Sequence, residues 1–420
     1  MLFIHGVIDL GGIETFYLRM AKERKEKGLN TSVLLLKPEI YSNKKLLNEM
    51  RLYAKVYFLE HLFFTHSALS HNFILLLPPK KDKIKELLKS VNQIHSSGGI
   101  SSLVGQRLLS IASKHLPITV GIYHYLEYLW GNNNIPYYVK IDRDFIFNYL
   151  PRESILFFSE GNRTLHQQKL NLNFDNSQSF RLGVIDKKDI SLEYSNKTYI
   201  NIVAVGRLVT FKSYNIFMLD VIRELVDKGH KVKLDIYGEG PLNELMTHKI
   251  QSLGLQSYIT LLGSLEYSKF DEIVSKADLF IGSGTAIIQA ASLGVPSIIG
   301  IENIEEAKTY GYFSEVFHYE YNMINSNLPL LEVSILIEKY INMNELDKIN
   351  LKKEHLQSIN DFTNSYCQHK LNHLKEIRMP KIYYKFNPFT YEVSRFTSLI
   401  AAKLNKKNSF NNRYEATKNI

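Results

Sequence analysis

The stretch I-G-S-G-T-A-I-I-Q-A-A-S-L-G-V-P, residues 281–296, contains the unit from which the fold follows. Small residues come directly after an apolar run and before a helical segment that ends at Gly294 and Pro296. This order predicts a strand, a tight loop and a helix N-terminus, where backbone N–H groups can contact phosphate oxygens. The loop therefore favours an anionic ligand, although the stretch itself contains no carboxylate.

The second half of the chain contains several more units of this kind, each a strand followed by a loop and a helix. Glycine follows two of its helical patterns, at Gly229 and Gly254, as is typical of helix ends. The regular alternation predicts a doubly wound parallel α/β domain. Strand patterns lie at 199–205, 231–237, 258–262 and 277–281, and helical patterns at 214–228, 241–254 and 267–276.

The first half alternates in the same way, which predicts a second α/β domain. A helix is expected over Glu14–Lys27 and ends at Gly28, and strands are expected at the N-terminus and at 31–37, 56–59, 91–95, 118–124 and 154–159. Between about Gly183 and Lys197 the sequence is polar and lacks a period, which indicates a linker. We therefore predict domains at 1–185 and 198–345, a helical segment at 346–377 that packs back toward the first domain, and a tail at 378–420.

Composition fits two folded domains. The chain has 420 residues, of which 45% are hydrophobic and 22% charged. The single cysteine, Cys367, excludes an internal disulfide and suits a reducing cytoplasm. The N-terminus lacks the pattern of a signal peptide, and no apolar run approaches the roughly 18 residues that span a bilayer. We expect a cytoplasmic protein that is soluble or bound to the inner face of the plasma membrane.

Positive charge is concentrated at the C-terminus. The chain has 51 basic and 42 acidic residues, a net charge of +9, and residues 378–420 hold nine Lys or Arg against Glu392 and Glu415, a net of +7. Six aromatic residues, from Tyr383 to Phe396, are interleaved with these charges. Such a tail could lie on an anionic membrane surface, or it could be a solvated, partly disordered tail. The near-neutral body argues against nucleic acid as a partner.

Loops at the carboxyl ends of the predicted strands are where an open α/β sheet binds its ligand. Gly11 and Gly12 precede the first helix, and a plain turn is the alternative interpretation of that pair. Arg207 and Lys212 flank the loop after the strand at 199–205, where two cations suit a diphosphate. Either cation alone would more often be a surface charge, but their joint placement beside Gly206 favours a functional role.

These motifs together resemble a known family. The segments G-G-I-E-T (11–15), V-G-R-L-V-T-F-K (205–212), I-Y-G-E-G-P-L (236–242), L-L-G-S (261–264) and G-T-A-I-I-Q-A-A-S-L-G-V-P (284–296) look like those of family 4 retaining glycosyltransferases. The resemblance covers most of residues 1–320 and is strongest in the second half. It implies the GT-B fold, in which two Rossmann-like domains face a cleft, with acceptor contacts in the first domain and the nucleotide sugar mainly on the second.

The resemblance also implies roles for particular residues. Arg207 and Lys212 match the cationic pair that stabilises the departing diphosphate, so no metal and no further cofactor are expected. His124 matches a histidine often found near the transferred sugar; a core or surface histidine is the alternative. The residues expected to bind the donor are Gly12, Gly206, Arg207, Lys212, Gly238, Gly263, Gly284, Thr285, Ala286 and Gln289.

One departure from the family pattern concerns its two glutamates. Family members usually carry them eight positions apart, one facing the sugar and one bonded to the ribose, and here those places hold Ile281 and Gln289. Gln289 can still bind ribose hydroxyls, whereas Ile281 has no polar side-chain atom. Leaving-group stabilisation and positioning can supply much of the catalysis, so the loss weakens the assignment without excluding it.

Three hypotheses follow. The first is a retaining glycosyltransferase of the hexosyltransferase type, acting on a glycan or lipid-linked glycan acceptor in bacterial-type surface polysaccharide synthesis. The second is a catalytically silent homologue that binds a nucleotide sugar or a partner transferase, as Ile281 and Gln289 suggest. The third, a nicotinamide or flavin enzyme, needs G-x-G-x-x-G, and the segment at 238–243 lacks the third glycine.

Overall fold

The computed structural model describes residues 1–9, 12–65, 71–124, 127–129, 135–190, 198–319, 321–322 and 328–404. Within these ranges the chain divides into two compact units. The first unit contains Met1–Gly183 and Asn364–Ile420, and the second unit contains Val184–Thr363. The chain thus leaves the first unit once and returns to it, and residues 346–377 contribute to both units.

The first unit is built on a seven-stranded parallel sheet, here called the first sheet, with strand order β3-β2-β1-β4-β5-β6-β7. Its strands are β1 (Leu2–His5), β2 (Ser32–Leu35), β3 (Lys55–Phe58), β4 (Ile94–Ser96), β5 (Ile118–Ile122), β6 (Ile155–Phe157) and β7 (Gln178–Ser179). Its helices before the crossing are α1 (Gly12–Glu26), α2 (Lys44–Tyr53), α3 (Leu59–Leu62), α4 (Lys81–Lys89), α5 (Gly99–Ala112), α6 (Tyr137–Asp144) and α7 (Glu160–Leu170).

The second unit is built on a five-stranded parallel sheet, the second sheet, with strand order β10-β9-β8-β11-β12. Its strands are β8 (Ile200–Val205), β9 (Val232–Tyr237), β10 (Ile259–Leu261), β11 (Leu279–Gly282) and β12 (Ser297–Ile299), and a small antiparallel pair is formed by β13 (Lys308–Thr309) and β14 (Leu331–Glu332). Its helices are α8 (Tyr214–Asp227), α9 (Asn243–Ser252), α10 (Phe270–Val274), α11 (Gly284–Ala291), α12 (Phe313–Val316), α13 (Val333–Asn342) and α14 (Glu345–Ser358).

The predicted alternation of strands and helices is present in both units. Central strands such as β2 and β11 are buried along their whole length, as expected for a parallel sheet covered on both faces. The strand predicted at 91–95 begins three residues later, because the Val91 N–H closes the preceding helix on the Leu88 carbonyl. Neither β7, of two residues, nor β12, of three, is predicted from the sequence.

The predicted linker at 183–197 is partly structured. The Val184 N–H donates to the Phe362 carbonyl at 2.9 Å, and Ile185 pairs with Thr363 in a parallel bridge, so this segment begins the second unit. Residues 191–197 lie outside the described residues. The predicted segment at 346–377 divides at Thr363, after which α15 (Asn364–His373) packs on α1 of the first unit.

The basic tail is folded onto the first unit as far as Leu404. Helix α16 (Pro388–Leu404) and the segment before it pack on the first unit. Tyr391 is fully buried, and the Tyr383 hydroxyl donates to the Leu109 and Lys114 carbonyls. Tyr391 thus belongs to the core of the first unit, and Tyr383, Tyr384 and Phe386 pack against that core while partly exposed, whereas Phe389 faces outward. Residues 405–420 lie outside the described part of the chain.

A buried carboxylate joins α16 to α5 and α6. Asp142 is 8% exposed and accepts a hydrogen bond from the Tyr391 hydroxyl at 2.9 Å. A Cβ on Gly99, the first residue of α5, would lie 2.1 Å from the Asp142 Cγ, so only glycine leaves room for this carboxyl group. Burial raises the pKa of Asp142 from 3.8 to about 7, although the Tyr391 hydroxyl and Arg395 oppose the shift.

The raised pKa predicts how stability depends on pH. Between pH 3.8 and about 7 the folded state holds a proton on Asp142 that the unfolded state has lost, so the free energy of unfolding falls as pH rises through this window. The effect is about 1.4 kcal/mol for each unit of pKa displacement. Urea unfolding of the wild type and of Asp142→Asn from pH 4.5 to 7.5 measures it, with exposed Asp82→Asn as the control. The slope should be lost in Asp142→Asn only; equal slopes in all three proteins would contradict the assignment.

Candidate functional site

Strand order places the candidate site at one edge of the second sheet. The first strand of the unit, β8, lies between β9, which follows it in the chain, and β11, which comes two strands later. Connections therefore leave β8 and β11 toward opposite faces, and the carboxyl ends of these two strands lie side by side in an uncovered crevice. Arg207 and Lys212 follow β8, and the small-residue loop follows β11.

Three of the predicted glycines lie close together at the carboxyl edge of the second sheet. A Cβ on Gly238 would lie 1.9 Å from the Gly206 carbonyl oxygen, so the loops after β8 and β9 touch through their backbones. The Gly238 N–H donates to the Gly263 carbonyl at 2.7 Å, and Gly263 has a φ of +70°, in the left-handed region that favours glycine. The structure thus brings Gly206, Gly238 and Gly263 together, and their predicted contact with the donor stays a prediction.

The two predicted cations lie at the end of β8. Arg207 is exposed, with its guanidinium 6.0 Å from the ring centroid of Phe211. The Lys212 ammonium folds back over the strand end, 3.3 Å from the position that a Cβ on Gly206 would occupy. Burial lowers the pKa of Lys212, Arg207 lowers it further, and Glu302 opposes the shift. The two cations and Glu302 therefore share one electrostatic environment.

Glu302 is a residue of this site that the motifs did not indicate. It follows β12, and its carboxylate accepts a hydrogen bond from the Ser283 hydroxyl at 2.8 Å, on the loop after β11. A carboxylate missing from the stretch 281–296 is thus supplied by the next loop. No local signal could identify it, because Glu302 is separated from Ser283 by 19 positions and stands in no recognisable motif.

One backbone N–H group at the N-terminus of α11 already has a hydrogen-bond partner within the chain. Gly284 has a φ of +64°, and its N–H donates to the Asn322 side-chain oxygen at 2.8 Å. Thr285 is exposed and Ala286 half-buried in the first turn of α11. An anion at this helix end would replace the Asn322 oxygen on Gly284 or bind the N–H groups of Thr285 and Ala286.

The two substituted glutamate positions differ in their surroundings. Ile281 is fully buried in β11 and presents nothing to a ligand. Gln289 is 9% exposed, and its amide nitrogen donates to the Asp271 carboxylate at 3.2 Å. Lys188 contacts the same carboxylate at 2.5 Å, so Gln289 belongs to a Lys188–Asp271–Gln289 cluster. The predicted contact of Gln289 with a ribose stays a prediction.

The remaining predicted residues belong to the first unit. Gly12 is the exposed first residue of α1, and a Cβ there would contact nothing within 4 Å; its neighbour Gly11 lies outside the described residues. His124 is half-buried two residues beyond β5, and burial lowers its pKa. Both follow strands of the first sheet, Gly12 at the start of α1 after β1 and His124 on the loop after β5.

Among the described residues no group of three or more His, Cys, Asp or Glu side chains is arranged to hold a metal ion. Positive charge at the edge of the second sheet comes from Arg207 and Lys212. With the adjacent backbone N–H groups, these cations can bind a diphosphate.

Comparison with known proteins agrees with this geometry. Residues 186–303, which contain the whole second sheet, match the family model described as "Glycosyl transferases group 1". No curated protein matches the chain.

Solved structures show the same fold. A glycosyltransferase from Rickettsia africae is similar with a TM-score of 0.59 and 13% identity over 89% of this chain and 97% of that one. HepE from Anabaena, in complex with UDP and glucose, has a TM-score of 0.53 and 14% identity over 89% and 98%. The lipopolysaccharide outer core galactosyltransferase WaaB has a TM-score of 0.55 and 13% identity over 89% and 99%.

The fold and the family match support a transferase. The predicted resemblance to glycosyltransferases is confirmed: residues 186–303 match the glycosyl transferases group 1 model, and the chain has the GT-B fold of two Rossmann-like domains.

Proposed function

We propose that the protein is a retaining glycosyltransferase of the hexosyltransferase type. It transfers a sugar from a nucleoside-diphosphate sugar to a glycan or lipid-linked glycan acceptor in bacterial-type surface polysaccharide synthesis. The observation that carries the proposal is the placement of Arg207 and Lys212 beside Gly206 at the end of β8, with Glu302 bonded to Ser283 on the neighbouring loop. Retention of the anomeric configuration is proposed from the resemblance of the motifs to family 4.

Each group at this edge has a part in the proposed reaction. Negative charge grows on the diphosphate as its bond to the sugar breaks, and Arg207 and Lys212 stabilise that charge without a metal ion. Burial makes the Lys212 ammonium a stronger partner, since water screens it less. Gly238 and Gly263 leave room for the nucleoside beside them, and Gln289 faces its ribose.

Glu302 has the sugar itself as its proposed partner. A carboxylate beside two cations opposes the binding of a diphosphate, so its presence there needs a compensating interaction. Sugar hydroxyls are good donors to a carboxylate, and Ser283 holds one oxygen of Glu302 in place at 2.8 Å. Glu302 thus takes over the contact that Ile281 cannot make.

The proposed acceptor follows from the similar proteins. One of them, WaaB, is described as a lipopolysaccharide outer core galactosyltransferase. WaaB thus supports a surface glycan as the acceptor. Acceptor contacts, His124 among them, are proposed for the first unit.

A silent homologue is the second candidate function. The amide of Gln289 is engaged by Asp271, and the Gly284 N–H is engaged by Asn322, so two groups expected to bind the donor have partners within the chain. Such a protein would bind a nucleotide sugar or a partner transferase without turnover. Activity in an Ile281→Glu, Gln289→Glu double variant, with none in the wild type, would favour this function.

We also propose that α16 lies on an anionic lipid surface, at the inner face of the plasma membrane in the cytoplasm. Its outward face exposes Phe389, Val393 and Ile400, at helical spacing. Exposed Lys381 and Lys385 precede the helix, and residues 405–420 add Lys406, Lys407, Arg413 and Lys418 in sequence. Apolar side chains beside basic ones suit the headgroup region of an anionic bilayer. Among the described residues no helix is long and apolar enough to cross a membrane.

Nucleoside diphosphate binding tests the donor site. Titration calorimetry with UDP, GDP, ADP and CMP should reveal one preferred nucleotide, bound equally well with magnesium and with EDTA. Arg207→Ala and Lys212→Ala should each weaken binding about 10- to 100-fold, the loss of a charge-assisted hydrogen bond. Exposed Arg223→Ala on α8 is the control and should change nothing. Binding that depends on magnesium, or that survives both variants, would contradict the proposal.

Glu302→Gln should change two affinities in opposite directions. The variant keeps an acceptor for Ser283 but removes a negative charge beside Arg207 and Lys212, so the free nucleoside diphosphate should bind several-fold more tightly. Turnover of the nucleotide sugar should fall by about tenfold, because a neutral amide holds sugar hydroxyls more weakly. Exposed Glu305→Gln is the matched control. Unchanged diphosphate affinity with unchanged turnover would remove Glu302 from the site.

Vesicle cosedimentation tests the proposed membrane surface. Deleting residues 378–420 would also remove Tyr391 from the core, so point changes are preferable. Phe389→Ser with Ile400→Ser, and separately a truncation after Leu404, should each reduce binding to vesicles containing phosphatidylglycerol by about tenfold. Ile40→Ser, which alters an 86% exposed residue elsewhere in the first unit, is the control. Equal binding by all variants, or equal binding to neutral phosphatidylcholine vesicles, would exclude this surface.

A further inference from the structure

Gln289 stands where the family pattern has a glutamate, and this exchange creates a new requirement. A carboxylate presents an acceptor oxygen whichever way it is turned, whereas a carboxamide has one end that only accepts and one end that only donates. Ribose hydroxyl groups can donate to the accepting end. A glutamine therefore replaces the glutamate well only if another group in the chain fixes which end of the amide faces the ligand.

Gln289 lies on the face of α11 that also carries Thr285. Its neighbours Ile287, Ile288 and Ala290 are buried in the core of the second unit, whereas Thr285, one turn earlier, is exposed. Side chains of a helix lean toward its N-terminus, so the Gln289 side chain leans toward the end of α11 that follows β11. The amide is thus directed toward the carboxyl edge of the second sheet.

Asp271 on α10 fixes the orientation of this amide. The Gln289 Nε2 lies 3.2 Å from the Asp271 Oδ1. An ionised carboxylate can only accept, so the end of the amide that faces Asp271 is the NH2 group, and the carbonyl oxygen points away. Among the described residues no donor reaches the Gln289 Oε1, and this oxygen is not sealed from solvent. It therefore remains as an acceptor for a ligand.

Lys188 holds Asp271 in turn. The Lys188 Nζ lies 2.5 Å from the Asp271 Oδ2, so each oxygen of the carboxylate has a partner within the chain. The side chains of Lys188 and Asp271 are 28% and 47% exposed, and an ion pair so open to water contributes little to stability. Because the pair positions an amide that is itself 9% exposed, its effect belongs in ligand binding rather than in folding.

We propose that Asp271, anchored by Lys188, is a positioning residue that turns the carbonyl oxygen of Gln289 toward a ribose hydroxyl group of the nucleotide, an inference that rests on the proposed function. Asp271 acts through Gln289, since both of its own oxygens are engaged. Gln289 and Asp271 together present the acceptor that one glutamate presents in the family pattern. The cluster selects nucleotides that carry ribose hydroxyl groups over nucleotides that lack them.

Restoring the family residue should therefore weaken binding. In Gln289→Glu two carboxylates face each other where a hydrogen bond now lies, so UDP should bind about tenfold more weakly than to the wild type. The affinity should recover as pH falls from about 8 to about 5, because one carboxyl group of such a pair takes up a proton and donates to the other.

Exchanging both partners reverses the direction of the hydrogen bond. In the double variant Gln289→Glu, Asp271→Asn the amide at position 271 donates to the carboxylate at position 289, which still presents an oxygen to the ribose. This variant should bind UDP within about threefold of the wild type, since the hydrogen bond is kept. The net charge of the cluster is unchanged by the exchange, so recovery of affinity would report on hydrogen bonding alone.

Calorimetry with paired nucleotides tests the positioning role. The pair is UDP and its 2′,3′-dideoxy analogue, or the same pair with whichever base binds. The wild type should prefer UDP by about tenfold. Asp271→Ala should reduce this preference about fivefold and Lys188→Met by a smaller factor, while affinity for the dideoxy analogue and thermal unfolding midpoints stay at the wild-type values. Exposed Glu272→Ala and Lys187→Met are the matched controls and should keep the preference.

Four outcomes would count against the inference. The wild-type preference for UDP in Asp271→Ala, or tighter UDP binding by Gln289→Glu than by the wild type, would overturn the positioning role alone. Equal loss of affinity for both nucleotides, with lower unfolding midpoints, would give the cluster a structural role and overturn it too. Where Asp271→Ala fails to fold, the exchange decides: a double variant that binds UDP no better than Gln289→Glu contradicts the inference. Absence of nucleoside diphosphate binding to the wild type would instead overturn the proposed function, and this inference with it.

Discussion

The reversal of strand order in each parallel sheet is the constraint on which the sites depend. In both units the chain begins at a central strand, builds outward on one side, and then returns to the other side of that first strand. Helices that connect parallel strands cover opposite faces on the two sides of this point, so the two strand ends remain uncovered. Residues that follow those strands can reach a ligand, while residues within them, such as Ile281, are buried.

The two edges share an architecture but differ in charge. At the second sheet, Arg207 and Lys212 provide positive charge, with Glu302 and Ser283 beside them. At the first sheet, His5, Ser97 and Glu14 provide an imidazole, a hydroxyl and a carboxylate. The positive charge at the second sheet suits the diphosphate that we propose as its ligand.

Local patterns predicted most of the fold. Strands of buried apolar residues, helices with one apolar face, and the positive φ of Gly28, Gly229 and Gly254 at helix ends are all specified within a few residues. That Gly206, Arg207, Lys212, Gly238 and Gly263 lie at strand ends was also predictable, since each belongs to a short motif that follows a strand. Their convergence follows from strand order, which the repeating units implied.

The features that could not be predicted are contacts between residues far apart in the sequence. The bond from Ser97 to His5 spans 92 positions, and the bond from Tyr391 to Asp142 spans 249. Neither pair forms a motif, so neither contact was predicted, and the tail aromatics were interpreted as a surface feature. Likewise the loop at 281–296 lacks a carboxylate in sequence and gains one in space through Glu302. Such pairings arise only after the sheets have assembled.

A crystal structure grown with the preferred nucleoside diphosphate and without a divalent metal tests the central claim most directly. We expect the diphosphate at the end of β8, within hydrogen-bonding distance of Arg207 and Lys212, with the nucleoside beside Gly238 and Gly263. A diphosphate bound elsewhere on the second unit, or one that appears at this edge only when magnesium bridges it to the protein, would contradict the account.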